Sequence, residues 1–173
     1  FVRLDVLPEP PEVTRLEVTP VQLNGLVRRL RLMYQTALIA VLRDQADTPH
    51  LRMMTRACER AQQVCGKRPQ ALLWWVAAAT IEALQQGVAI SPARKALLGQ
   101  LDRQLKALAV NDGSGNPDRR VLSDCLYIIG LAEQGEHVLA VRKAFALDDN
   151  CLTEAGLSAE YELMCGPGGS VIK

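Results

Sequence analysis

The stretch between Pro69 and Gly87 is apolar on every side of a helix: Leu72, Leu73, Trp74, Trp75, Val76, Ala77, Ala78, Ala79, Ile81 and Leu84 leave no polar face. Glu82 is its one charged side chain. A helix with a single apolar stripe can lie on a surface, but one without a polar face has to be surrounded. A membrane would surround it, but the unbroken apolar run Ala71 to Ala79 falls well short of the roughly 20 residues a bilayer span needs. The covering must therefore come from other helices of the same chain. The alanines predict close approach by those neighbours.

The rest of the chain supplies candidates. Thr19, Pro20 and Gln22 have the spacing of a capping box with proline at the first helical position. Leu23, Val27, Leu30, Tyr34, Leu38 and Val41 follow at helical spacing, which predicts a first helix reaching about Gln45. Thr48-Pro49 opens a second helix, closed by Gly66, and Pro69 opens the apolar third, ended by Gly87. Ser91-Pro92 opens a fourth, with Leu97, Leu98, Leu101, Leu105 and Leu108 as its stripe. Asn111 to Asn116 is a polar loop, Pro117 opens a fifth helix, and Val138 to Leu147 forms a short sixth. Ser158 is placed to cap one further turn.

Short connections make consecutive helices antiparallel neighbours, and no repeat of fixed period is visible. The expectation is an all-α, up-and-down helical bundle of five to seven helices over residues 19–165. Ahead of it lies an extended amino-terminal arm, residues 1–18, and after it a glycine-rich linker tail, residues 166–173. Phe1 to Val6 alternates as a short strand would, until Pro8, Pro10 and Pro11 stop it.

Composition narrows the function. The net charge is +1 and aromatics are 4%, which offers neither the positive field nor the stacking platform of a nucleic-acid binder. The first twenty residues hold four prolines and several acids, unlike a signal peptide. The chain starts at Phe1 rather than Met and reads as a piece of a longer protein. Five cysteines at wide spacings, with no CxxC pair, read as reduced thiols of a cytoplasmic protein.

Catalytic patterns are missing one by one. A phosphotransfer histidine on a helical bundle would be followed by Lys and a small residue, as H-x-x-K-G. His50 is followed by Leu51-Arg52-Met53-Met54, and His137 by Val138-Leu139-Ala140-Val141. Both histidines read as solvated surface residues. No Glu-x-x-His pair suggests a di-metal site, and Gly166-Pro167-Gly168-Gly169 lacks the Lys-Ser/Thr of a P-loop. No cofactor and no metal are expected.

Two features invite other readings. Glu82 inside the apolar helix needs a partner, since an unpaired buried carboxylate costs roughly several kcal/mol. Arg28, Arg31 or Arg103 could supply it, and Glu82 with Arg103 is taken as the candidate buried ion pair. On the first helix Arg28, Arg29 and Arg31 form a basic cluster, while Leu32, Ile39 and Leu42 lie off the core stripe. That helix is expected to be covered on two sides, and Arg28, Arg31, Leu32 and Ile39 are the candidate partner-binding residues.

A series of segments carries a family resemblance. Arg28-Arg29-Leu30-Arg31-Leu32-Met33-Tyr34-Gln35, Leu73-Trp74-Trp75-Val76-Ala77-Ala78-Ala79 with Ile81-Glu82-Ala83, Leu101-Asp102-Arg103-Gln104-Leu105-Lys106, Leu126-Tyr127-Ile128-Ile129 and Val141-Arg142 occur in this order. Together they resemble FimL-like proteins and the related amino-terminal region of ChpA-type chemosensory kinases. Phe1-Val2-Arg3-Leu4-Asp5 and Gly166-Pro167-Gly168-Gly169-Ser170-Val171 are more similar to the FimL-like side. The resemblance implies a cytoplasmic scaffold without an active site, often at the cell pole, acting in type IV pilus function, twitching motility and cyclic-AMP signalling. It implies protein partners such as a FimV-like polar hub protein and a PilG-like response regulator. The alternative is the amino-terminal domain of a ChpA-like histidine kinase contributing to phosphorelay, which would require the gene to continue into kinase and receiver modules.

Overall fold

Six α-helices make up the computed structural model, which describes residue 4 and residues 6–147. They are α1 (Pro20–Leu42), α2 (Thr48–Cys65), α3 (Gln70–Gln85), α4 (Pro92–Asn111), α5 (Arg119–Gly130) and α6 (Glu136–Ala144). There is no strand among the described residues. The strand proposed over Phe1 to Val6 falls largely on residues outside that description, as do the Ser158 turn and the linker tail.

Local chemistry sets the helix ends. Thr19 and Gln22 form the capping box their spacing predicts: Gln22 N donates to Thr19 Oγ1 at 3.2 Å, and Thr19 N donates to Gln22 Oε1 at 2.9 Å. α1 stops at Leu42, short of Gln45, because Asp44 turns into the left-handed region at φ 56°. α2 is capped one residue earlier than predicted. Asp47 Oδ1 accepts from His50 N at 3.2 Å, and Asp47 N donates to His50 Nδ1 at 3.3 Å. The imidazole takes the place usually held by Glu or Gln, so His50 is a capping residue rather than a solvated one. Ser91 caps α4. Asp118, rather than Pro117, opens α5, with its carboxylate accepting from Val121 N at 3.0 Å. α6 starts two residues before the predicted Val138 and ends three before Leu147.

α3 is the encased element that its composition demands. Fourteen of its sixteen residues are buried, Trp74 and Trp75 both among them; only Glu82 and Gln85 are partly open. It packs against α2, α5 and α6. Ala77, Ala78, Ala79 and Ala83 share one buried core with Ala57 and Ala61 of α2, and small side chains let helix axes approach. The Thr80 hydroxyl, fully buried, donates to Val76 O at 2.9 Å within its own helix. The Gln70 amide donates to Gly115 O and Asn116 O and so fixes the loop before α5.

α1 packs on α2 along one flank and on α4 along the other. α4 thus follows α3 in the chain yet lies chiefly on α1 and, more lightly, on α5. Tyr34, with no exposure, donates its hydroxyl to Leu98 O at 2.7 Å. The proline-bearing arm lies along the bundle: Leu16 N donates to Gln63 O at 3.2 Å, Gln62 Nε2 donates to Pro11 O at 3.4 Å, and Leu4, Leu7, Leu16 and Val18 pack against the core.

Candidate protein-docking face

Among the described residues the thiols and imidazoles are engaged in packing, capping and bridging. Cys58, Cys65 and Cys125 are buried free thiols. Burial pushes the Cys65 and Cys125 thiols up to about 12, and Cys58 further. Such thiols stay protonated at neutral pH and make poor nucleophiles. Cys151 and Cys165 lie outside the described residues. His137, expected to be solvated, sits with Nε2 at 2.9 Å from Glu59 Oε2, bridging α6 to α2. Among the described residues no group of three or more His, Cys, Asp or Glu side chains is arranged to hold a metal. Among the described residues no helix is long and apolar enough to cross a membrane.

The Glu82–Arg103 ion pair is not formed. Glu82 Oε1 accepts from Val138 N at 3.1 Å, at the start of α6. Val138 is the third residue of that helix, and its amide is one of the donors a helix leaves unsatisfied. The residue in the capping position is Gly135, which has no side chain to offer, and its φ of 117° suits glycine alone. A Cβ at Gly135 would run into the Glu82 carboxylate. A carboxylate from α3 therefore caps α6 across the core, where the positive end of the helix dipole favours it. Arg103 is exposed on α4.

The buried acid that does find an arginine is the residue before it. Arg31 Nε and Nη2 donate to Asp102 Oδ1 and Oδ2, both at 3.1 Å, and Gln35 Nε2 donates to Oδ2 at 3.2 Å. This fork-to-fork pair joins α1 to α4. Its hydrogen bond to Asp102 raises the pKa of Arg31, against slight desolvation. Arg31 is thus committed inside the fold, a correction to its reading as a partner-binding residue. At one end of the same seam Lys95 Nζ lies 2.8 Å from Asp44 Oδ1. Read with the Tyr34–Leu98 bond, these links make α1 and α4 antiparallel.

The other three candidates stay outside. Arg28 is exposed, Leu32 is 67% exposed and Ile39 50%, with Leu42 also at 50%. Val21, at the start of the same helix, is open as well. Among the described residues, four of the eight large apolar side chains that are exposed belong to α1, although that helix already buries a full stripe. Sequence reading found Leu32 and Ile39 as off-stripe residues. It missed the pairing of Asp102, whose signal was its place as the one acid in α4, opposite a helix with none.

Among the described residues, then, the thiols are buried, the histidines cap and bridge helices, and an apolar stripe of α1 lies open, which makes a helical bundle with a candidate binding face. Comparison with known proteins places it more closely. The family model of the FimL scaffold protein second domain matches residues 19–157, and the chain belongs to that family. It is 34% identical over 175 residues to the scaffold protein FimL of Pseudomonas aeruginosa, an alignment covering 99% of this chain and 31% of that protein. The chain therefore spans about a third of the length of that relative. No solved structure matches. The family is one of scaffold proteins, not of enzymes.

Proposed function

We propose that this domain is a protein-binding platform within a scaffold of type IV pilus regulation, serving twitching motility and chemosensory, cyclic-AMP-linked signalling. Its partners on this reading are a FimV-like polar hub protein and a PilG-like response regulator, met in the cytoplasm at the cell pole. The observation that carries the reading is the 34% identity to a scaffold protein along nearly the whole chain. The open stripe of α1, with Arg28, Leu32 and Ile39, supports docking at this domain rather than a purely spacing role. A scaffold holds partners through surface, and exposed apolar side chains in register are what such a surface requires.

Removal of residues 19–157 from the full-length gene in its own host, with the partners left intact, tests this. Smaller twitching zones and loss of FimV-like and PilG-like proteins from co-precipitates are expected. Normal twitching with undiminished co-precipitation would refute the reading.

A further inference from the structure

The outer face of α1 follows a definite spacing, its exposed Val21, Arg28, Leu32, Ile39 and Leu42 interspersed with the half-buried Gly25 and Gln35. Val21, Gly25, Arg28, Leu32, Gln35, Ile39 and Leu42 are separated by alternating steps of four and three residues. That is the spacing of a coiled-coil seam, the pattern by which one helix receives another along its length, and its apolar members here are Val21, Leu32, Ile39 and Leu42. The core stripe of α1, Leu23 to Val41, faces the opposite way. α1 thus carries two helix-packing faces, one used in the bundle and one open to solvent. From Leu32 to Leu42 the open apolar part runs about 15 Å, and from Val21 about 30 Å, the reach of a helix of several turns.

Charge selects the occupant. α1 has three arginines and no acid, and α4 beside it has Arg94, Lys95, Arg103 and Lys106 with Asp102 as its one acid. Asp102 is already neutralised by Arg31. The chain as a whole is nearly neutral at +1, so this two-helix layer holds a positive excess that the remainder offsets. Lys106 follows Asp102 by one helical turn and therefore lies on the α1 side of α4. Arg28, Arg103 and Lys106 are exposed and make no ion pair among the described residues. An apolar seam bordered by unpaired cations disfavours a second copy of α1, which would bring arginine against arginine across the contact.

We infer that the open face of α1, bordered by α4, is a docking seam for an acidic amphipathic helix of a partner protein: apolar residues at heptad spacing meet Leu32, Ile39 and Leu42, and flanking carboxylates meet Arg28, Arg103 and Lys106. The inference rests on the scaffold reading and names the chemistry of what that scaffold holds.

The test uses the full-length protein and a fluorescent synthetic helix with Leu and Ile on its seam and Glu on both flanks, followed by fluorescence anisotropy. A matched peptide with Lys for every Glu is the control. Saturable binding of the Glu peptide is expected, weakening as salt is raised, with the Lys peptide bound at least about tenfold less tightly. Leu32→Asp with Ile39→Asp, on an exposed face where folding is not at stake, should weaken binding by tenfold or more at unchanged helicity. Arg28→Glu with Lys106→Glu should do the same for the Glu peptide and improve binding of the Lys peptide. No binding of the Glu peptide, equal binding of both peptides, or indifference to the Asp pair would overturn the inference. So would binding only to phosphatidylglycerol vesicles, or Asp-sensitive self-association in sedimentation without peptide binding. If the peptide fails while native FimV-like or PilG-like protein still co-precipitates, the scaffold reading stands and the seam assignment falls.

Discussion

Removing the Asp102 carboxylate should loosen the hold of α4 on α1 by an amount the geometry sets. Asp102 receives three hydrogen bonds, two from the Arg31 guanidinium and one from Gln35. Its side chain is 12% exposed and that of Arg31 29%. A charged hydrogen bond contributes about 1.5–3 kcal/mol net, and stranding a fully buried partner costs about 3–5. Arg31 can turn partly into water, so the lower range applies, and Asp102→Ala should cost about 2 kcal/mol. With a urea m value of about 2 kcal/mol/M, the unfolding midpoint falls by about 1 M. Asp102→Asn keeps shape and an acceptor oxygen but loses charge, and should cost about half as much. Arg31→Met combined with Asp102→Leu, which removes both charges, should be milder than Asp102→Ala alone, because nothing is left unpaired. A double-mutant cycle of Arg31→Met and Asp102→Ala reads the coupling directly, expected at about 1–1.5 kcal/mol. Coupling below about 0.3 kcal/mol, or a double apolar variant less stable than either single one, would refute the argument that this pair fastens the two helices.

Two further outcomes follow from the core and its caps. Gly135→Ala forces a Cβ onto a φ of 117° and into the Glu82 carboxylate, so it should cost about 2–4 kcal/mol; the same change at Gly87, where a Cβ meets nothing, should cost clearly less, and equal melting temperatures of the two variants would count against the cap. Cys65 and Cys125, with pKa values raised to about 12, are thiolate to only about one part in ten thousand at pH 8 and gain reactivity as the pH climbs towards that value. A disulfide reagent at pH 8 should therefore leave both, and Cys58, unmodified in the folded protein and titrate them only on unfolding; mass-spectrometric labelling of any of the three within minutes would contradict this.

What sequence made legible was local. The Thr19–Gln22 box and the encased character of α3 both follow from neighbouring residues, and both are found in place. The end of α1 was missed because Asp44 adopts a left-handed turn without a glycine to announce it. The start of α2 was displaced because a histidine completes the box where the rule looks for Glu or Gln. Pairings between distant helices were the harder part. Glu82 was recognised as needing a partner, but its partner is a backbone amide on α6, made accessible by the absence of a side chain at Gly135. Asp102, next to the residue chosen for the pair, was passed over because the edge between a core stripe and a solvent face is a matter of tens of degrees on a helix. At the candidate docking face the basic cluster Arg28, Arg29 and Arg31 grouped Arg31 with Leu32 and Ile39, and only its contact with Asp102 of α4 removes it.

The position of α3 governs how this protein can be taken apart. One flank is covered by α2, but another is covered by α5 and α6, which follow it by more than thirty residues in the chain. A fragment cut in the loop after Asn111 would keep α1 to α4, and with them the whole basic seam, yet lay bare the buried flank of α3 that α5 and α6 cover in the intact fold. Such a piece would adhere to many proteins through that newly opened flank. Dissection of the scaffold thus has to carry the chain through Leu147, and capture by anything shorter reports a broken interior rather than recognition.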